Sequence, residues 1–140
     1  MRITHAVPTI DQEAAGPSYS VPRLCQALAA RGHAVNLVCS AARVDIPGVQ
    51  LDVRPAWPVL RKVAISTGAA RALRYRAAEV DIVHNHSLWA MLNLASGMVV
   101  PGTRAKLVTS PRGTLSPWAL RRSRSLKALL KPLQWRALVH

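Results

Sequence analysis

DIVHNHSLW at residues 81–89 and SPRGTLSPW at residues 110–118 are the two segments that decide the fold. In each, an apolar run typical of a buried strand gives way to polar residues and then to a helical pattern. Each segment therefore predicts a strand-to-helix junction. In open α/β sheets, ligands bind at the carboxyl ends of the strands, where such junctions lie. We accordingly expect the functional residues at these two junctions.

The rest of the chain alternates between strand and helix patterns. We predict strands at 3–7, 34–39, 49–53, 81–84 and 106–110, and helices near 17–31, 59–78, 88–98 and from 117 onward. Pro17 suits the first turn of a helix and Gly32 suits the residue after its end, whereas Pro132 is predicted to interrupt the last helix. The alternation favours an α/β fold with a parallel sheet and right-handed crossovers.

The composition indicates a folded and strongly basic chain. Of the 140 residues, 50% are hydrophobic and 18% are charged, which is typical of a globular domain with a real core. Lys and Arg number 19 against 6 Asp and Glu, and the net charge of +13 attracts phosphates, nucleic acid or anionic lipid alike. Nucleic acid is not expected as a partner, because Arg71, Arg74 and Arg76 lack interleaved aromatic residues and a recognisable reading helix.

The cysteine pattern and the hydropathy of the sequence indicate the cellular compartment. Cys25 and Cys39 lie in separate apolar segments without a disulfide or Cys-x-x-Cys pattern, so we predict two reduced, buried thiols. The apolar run at 1–10 is too short for a signal peptide, and no window has the roughly 18 apolar residues of a membrane span. We expect a cytoplasmic protein, with peripheral contact to the inner face of a membrane left open.

Candidate binding residues lie in the loop after the first predicted strand and at the end of the fourth. In the loop at 11–18, Gly16 lets the backbone approach a ligand, and the helix that begins with Pro17 and Ser18 offers free N–H groups to an anion. His84 and His86 are two residues apart and share one face of an extended strand, where they could contact a polar substrate, bind a metal or make structural hydrogen bonds. A metal needs a third ligand, and because none is obvious we predict no metal site.

The second junction contributes a cation, and each of the two junctions ends in a tryptophan. Arg112, followed by Gly113, has a fork of donors that suits bidentate binding of phosphate or carboxylate, although it could also be a solvated loop charge. Trp89 and Trp118 could stack on sugar rings, with helix packing as the alternative.

The last helix is amphipathic. Its apolar stripe is predicted to comprise Leu115, Trp118, Ala119, Leu126, Leu129, Leu130 and Leu133, with Arg121, Arg124, Lys127 and Lys131 on the opposite face. Such a helix can be a solvated surface element, or it can lie against anionic lipid.

With these residues identified, the chain resembles the N-terminal half of a family 4 glycosyltransferase. The resemblance is carried by GPSYSV at 16–21, LAARGHAV at 28–35, DIVHNHSLW at 81–89 and SPRGTLSPWAL at 110–120, and it covers essentially the whole chain. It implies one half of a GT-B fold: a Rossmann-like open parallel sheet with helices on both faces. Residues 1–140 would then form a single N-terminal domain.

The resemblance also implies an activity. Family members transfer a sugar, with retention, from a nucleotide-diphosphate donor to an acceptor such as a glycan or lipid-linked sugar of surface polysaccharide biosynthesis, without a required metal or other cofactor. Their N-terminal domain mainly binds the acceptor, and its glycine loop, matched by Gly16, approaches the donor diphosphate. His86 looks like the family's cleft histidine and is the candidate catalytic residue. Arg112 and Gly113 match the Pro-Arg-Gly form of the next loop.

Two departures from the family pattern shape the remaining expectations. Many members have a histidine at the loop where this chain has Pro111-Arg112. Members also continue into a last N-domain strand and a donor domain with a Lys/Arg pair and a Glu-x(seven)-Glu motif, so we expect the domain to be incomplete at its C-terminal end and inactive, or nearly so, without that partner. The alternatives are a stand-alone basic module that binds glycan or phospholipid, and a truncated fragment without function.

Overall fold

Five parallel strands form one open sheet in the computed structural model, which describes residues 1–11, 16–43, 45–56 and 67–138. The strands are β1 (Arg2–Ala6), β2 (Ala34–Cys39), β3 (Val49–Val53), β4 (Ile82–His86) and β5 (Lys106–Ser110). The helices are α1 (Gly16–Ala30), α2 (Thr67–Ala77), α3 (Met91–Val99), α4 (Pro117–Arg121) and α5 (Arg124–Leu138). The predicted α/β class and its Rossmann-like parallel sheet are confirmed.

The strand order is β3-β2-β1-β4-β5, and it determines where the two predicted junctions lie in the sheet. The chain builds outward from β1 through β2 to β3, and then returns to the other side of β1 with β4 and β5. The order therefore reverses between β1 and β4. Ligands of open α/β sheets bind at the carboxyl ends of the strands beside such a reversal. The carboxyl ends of the parallel strands β1, β4 and β5 all lie at this edge of the sheet.

Apolar side chains alternate along the strands and bury against helices on both faces of the sheet. On one face, Val35 and Leu37 belong to a buried cluster that includes Val21 and Cys25 of α1. On the other face, Val83 belongs to a cluster that includes residues of α2 and α3. This two-sided cover is why β1, β2 and β4 are nearly continuous runs of buried residues.

Helix boundaries follow the predictions with three differences. The third helix begins at Met91 and not at residue 88. The stretch 59–66 of the predicted second helix lies outside the described residues, and the described helix spans Thr67–Ala77. The predicted break at Pro132 is wrong, because Pro132 lies inside α5. The chain instead breaks between α4 and α5 at Ser123, whose φ of 55° is incompatible with a right-handed helix. Pro132 is exposed, so water can bond the carbonyl that its ring leaves without an N–H partner.

Two expectations about the compartment can be compared with the structure. Cys25 and Cys39 are both free and buried, as predicted. Burial raises the pKa of each thiol to about 12, so neither is a reactive thiolate. Among the helices in the described ranges, none combines the length and the apolar character that a membrane crossing requires.

Candidate functional site

Three histidines cluster at the carboxyl ends of β1 and β4. His5 of β1 stands beside His84 in the parallel register, and His84 and His86 lie two residues apart on β4. Because side chains alternate along a strand, all three project from the same face of the sheet. The ring centroids are 4.0 Å apart for His84 and His86, and 5.2 Å from His5 to each. The predicted shared face of His84 and His86 is confirmed, whereas His5 was missed.

Hydrogen bonds join this cluster to Arg112. His5 Nδ1 lies 2.9 Å from His86 Nε2, and the Nη2 and Nε atoms of Arg112 lie 3.1 and 3.4 Å from His86 Nδ1. A guanidinium has donors but no acceptor, so His86 Nδ1 must be the unprotonated, accepting nitrogen. His86 therefore carries its proton on Nε2 and donates it to His5 Nδ1. The neutral tautomers of both rings follow from Arg112.

Burial keeps the cluster neutral. Burial, together with the neighbouring His84 and Arg112 charges, lowers the pKa of His5 to about 4. Burial and the charges of His84, His5 and Arg112 lower the pKa of His86 to about 2. Burial and Arg112 also lower the pKa of His84, which is half-buried and contacts Ser110 Oγ at 2.8 Å. At neutral pH the arginine is consequently the local positive charge among these four side chains.

Arg112 also connects the junction after β5 to the first turn of α1. Its Nη1 donates to Ser20 Oγ at 3.3 Å, and Ser20 Oγ donates to the Gly16 carbonyl at 3.0 Å. Gly16 and Arg112 are both exposed, and Pro17 and Ser18 of the same turn are half-buried. A Cβ added at Gly16 would meet no atom within 4 Å. The structure thus brings Gly16 and Arg112 together at one rim, whereas residues 12–15 of the predicted glycine loop lie outside the described residues.

Both junctions contain unusual backbone conformations. Within the described ranges, Ser87, Trp89, Arg112 and Ser123 are the residues other than glycine with positive φ, and three of these lie in the two junctions. Gly113 also has a positive φ of 76°. Such conformations cost of order 1–3 kcal/mol for a residue with a side chain and concentrate at functional sites. The glycine therefore allows the turn that presents Arg112, which itself has a φ of 53°.

Trp89 links the two junctions to α5 through hydrogen bonds and a ring contact. Its Nε1–H donates to the Thr114 carbonyl at 3.2 Å, and its backbone N–H donates to Gln134 Oε1 at 2.9 Å. The Lys127 ammonium lies 5.8 Å from the ring centroid. These contacts engage both the edge and the face of the ring, which favours the packing interpretation over a sugar platform. Trp118, in contrast, is 71% exposed.

A buried amide network anchors the end of β4. Asn93 Nδ2 of α3 donates to Asn85 Oδ1 at 2.7 Å and to the His86 carbonyl at 2.8 Å, and Ser96 Oγ contacts Asn85 Oδ1 at 3.4 Å. Sequence reasoning missed these residues. The available signal was an asparagine and a serine on the otherwise apolar third helix, where a polar group needs a buried partner.

The basic face predicted for the last helix is partly wrong. Arg121, Arg124 and Lys131 are exposed as expected. Lys127 is half-buried, and its ammonium donates to the Ala119 carbonyl as well as facing Trp89. The predicted apolar stripe is largely exposed, because α5 packs on α3 through the face that contains Gln134, which is 2% exposed. On this buried face Gln134 Oε1 accepts a hydrogen bond from the Trp89 backbone N–H.

The cluster also corrects the expectation about metal ligands. His5, His84 and His86 each offer a ligand atom, and these atoms lie within 4.8 Å of one another, so the third ligand that sequence reasoning did not find is present. Imidazole suits zinc and other transition metals. In this structure the His86 nitrogens have other partners. Its Nε2 bonds His5, and its Nδ1 faces the Arg112 guanidinium.

Comparison with known proteins agrees with the geometry. The sequence profile described as Glycosyltransferase Family 4 matches residues 15–140. No curated protein matches the chain. The matched region contains α1, β4, β5 and the junctions that hold His86 and Arg112. Since the match covers most of the chain and the fold is the α/β half that the resemblance implies, the chain belongs to Glycosyltransferase Family 4.

Proposed function

We propose that this chain is the acceptor-binding half of a retaining glycosyltransferase that uses a nucleotide-diphosphate sugar and a glycan or lipid-linked acceptor. Membership of the family supports glycosyl transfer in general. The observation that carries the finer proposal is the position of Arg112. It is an exposed guanidinium at the strand-order reversal, bonded to α1 on one side and to His86 on the other.

Arg112 is suited to an anionic group on the bound substrate. A guanidinium forms charge-assisted, bidentate bonds with phosphate or carboxylate. Its contact with Ser20 places it beside the Gly16 turn, where a diphosphate could also approach the backbone. Ser18 has a buried hydroxyl without a hydrogen-bond partner among the described residues. We propose that Gly16, Pro17, Ser18, Arg112 and Gly113 contact the diphosphate side, and that His84 faces the sugar side.

His86 has a different role in this proposal from the one its family position implies. Its side chain is fully buried, and both ring nitrogens are engaged. We therefore assign it to holding Arg112 rather than to direct contact with the reacting sugar. Charge stabilisation of the departing diphosphate requires further cations, which the donor domain of the family would supply. The transfer is proposed to need no metal, and a cytoplasmic enzyme of polysaccharide biosynthesis is the setting that we propose.

A transfer assay tests this division of labour. The chain is assayed for nucleotide-sugar hydrolysis and transfer alone and together with a family donor domain, and activity is expected only in the second case. Arg112→Ala is expected to weaken binding of the diphosphate substrate about 10- to 150-fold, the value of a hydrogen bond to a charged group. Arg31→Ala, at the opposite end of α1, is the matched control. Equal effects of the two variants would contradict the site.

A second candidate function is binding to an anionic membrane surface. We define the basic–aromatic surface as Trp118, Arg121, Arg124, Lys131 and Trp135. Trp118 and Trp135 are 71% and 65% exposed, and the three cations are exposed as well. Clustered cations with Trp and Leu are typical of elements that lie in the interface of anionic bilayers. The same surface supports the alternative that the chain acts as a stand-alone lipid- or glycan-binding module.

Flotation with vesicles tests the membrane proposal. We expect the protein to float with vesicles of phosphatidylglycerol and phosphatidylcholine, and to remain at the bottom with phosphatidylcholine alone. Reversal of Arg121, Arg124 and Lys131 to Glu is expected to abolish flotation. The control reverses three exposed arginines elsewhere, Arg23, Arg71 and Arg74, which changes the net charge equally. Loss of flotation in both triple variants would show an effect of net charge and would contradict a specific surface.

A further inference from the structure

His5 is a buried polar residue for which neither the family pattern nor the proposed chemistry provides a role. It is completely buried on β1, and its Nδ1 contacts His86 Nε2. Its own Nε2 has no hydrogen-bond partner among the described residues. A buried, unpartnered N–H of this kind is destabilising. A side chain with that penalty in the centre of a parallel sheet calls for a reason other than packing.

The direction of the hydrogen bonds provides that reason. Arg112 donates to His86 Nδ1, which leaves the His86 proton on Nε2, and this proton is accepted by His5 Nδ1. The His5 proton is thereby forced onto Nε2, the atom without a partner. The series of hydrogen bonds therefore starts at the exposed Arg112 guanidinium, passes through His86, and ends at the buried Nε2–H of His5. The opposite tautomer of His86 would place two donors, Nδ1–H and the guanidinium, against each other.

The ring of His86 is fixed on three sides. His5 holds one edge, Arg112 contacts the other edge, and the His84 ring lies 4.0 Å away at an angle of 33°. The peptide carbonyl of His86 is bonded to Asn93. Arg112, by comparison, lies on a loop, is exposed, and has a strained backbone. A rigid acceptor on a central strand is what such a cation needs in order to keep one orientation.

We propose that His5 is a positioning residue, which accepts the Nε2 proton of His86 and so supports the tautomer and ring orientation that Arg112 requires, and that the Arg112 guanidinium is thereby held beside Ser20 for an anionic ligand. The inference depends on the proposed function only in that Arg112 is the group that contacts the diphosphate. The depressed pKa values of the two histidines agree with it, since neutral rings accept hydrogen bonds and do not repel the guanidinium.

A divalent metal on the three histidines is the competing interpretation. A metal would take up the lone pairs that His5 and His86 now use as acceptors, and it would place a second positive charge a few ångströms from Arg112. The hydrogen-bonded arrangement therefore accounts for more of the observed contacts than a metal does.

Long-range proton–nitrogen NMR on the full chain provides a test independent of ligand binding. We expect His86 in the wild-type protein to be the Nε2–H tautomer with a bare Nδ1. His5→Leu is expected to give a mixture of His86 tautomers, whereas His5→Asn keeps the wild-type tautomer, because its side-chain carbonyl can accept near the position of Nδ1. An Nδ1–H tautomer of His86 in the wild type would overturn the inference, even if His5→Leu does not fold.

Binding of inorganic pyrophosphate, measured by calorimetry, connects the tautomer to the ligand. We expect roughly tenfold weaker binding for His5→Leu, near wild-type binding for His5→Asn, and the largest loss for Arg112→Ala. If Arg112→Ala binds as wild type, the proposed function fails while the tautomer result still tests His5. If Arg112→Ala loses binding and His5→Leu does not, the inference fails alone. Stoichiometric binding of cobalt(II) that requires His5 would also overturn it.

Discussion

The buried histidine cluster leads us to predict that the folded protein loses stability as the pH falls. The buried rings of His5 and His86 stay neutral in the fold, with pKa values lowered from 6.5 to about 4 and about 2. In the unfolded chain both rings take up a proton as the pH falls below 6.5. The unfolded state then binds more protons than the folded state, so stability falls with pH in this range.

The magnitude follows from the linkage between proton binding and folding. Each ring that must stay neutral costs about 1.4 kcal/mol for each pH step below 6.5, which is about 2 kcal/mol at pH 5. The two rings together therefore remove up to about 4 kcal/mol between pH 8 and pH 5. A domain of this size has a free energy of unfolding of roughly 5–15 kcal/mol. The loss is complete only below the folded pKa values, and it reverses when the pH is raised.

Urea denaturation between pH 8 and pH 5, followed by circular dichroism, measures this loss. The slope near pH 5 should correspond to at least about two protons taken up on unfolding, because the pKa of His84 is lowered as well. His5→Asn should remove about half of the pH dependence, because one buried imidazole is gone. His33→Gln, in the turn after α1 and outside the cluster, is the matched control. A free energy of unfolding that is flat from pH 8 to pH 5 would refute the neutral, buried cluster.

Three further predictions concern stability and reactivity. Leu73→Ala in the fully buried cluster should cost about 2–5 kcal/mol in urea denaturation, and an unchanged midpoint would contradict the assigned core. Ser123→Gly should stabilise the chain by about 0.5–1 kcal/mol, because glycine adopts the positive φ of this break without strain; lower stability would contradict the αL turn. Cys25 and Cys39, with pKa values raised to about 12, should react with Ellman's reagent at least 10²-fold more slowly in the folded protein than in urea; equal rates would contradict their burial.

Regular elements of the fold could be predicted because their signals are local. The strands at 34–39, 49–53 and 106–110 agree with the structure to the residue. Their apolar runs are bounded by Gly, Pro or Ser, so one short segment contains both the strand and its ends. The helix break near residue 123 could not be predicted, since no proline or glycine marks it. Ser123 has a positive φ there, and the helix that follows the break is bonded through Gln134 to Trp89, 45 positions away in the chain.

The candidate site could be predicted in part. His84, His86, Arg112 and Gly16 stand at strand ends or in loops, where polar residues in an apolar context are visible in the sequence. His5 stands in the interior of β1 and belongs to the site only because β1 pairs with β4. Lys127 similarly follows the charged pattern of its helix, and only its contact with Trp89 separates it from the exposed cations.

The sequence by itself determined the class of fold, the family, the basic charge and the two junctions where polar residues end buried strands. These are properties of neighbouring residues, and local periodicity and turn chemistry suffice to express them. Only the tertiary structure decided which residues at those junctions meet. Parallel pairing of β1 with β4 brings His5 to His86, residues 81 positions apart in the chain. Through that contact His86 is a buried support, and Arg112 is the exposed side chain of this pair at the junctions that the sequence marked.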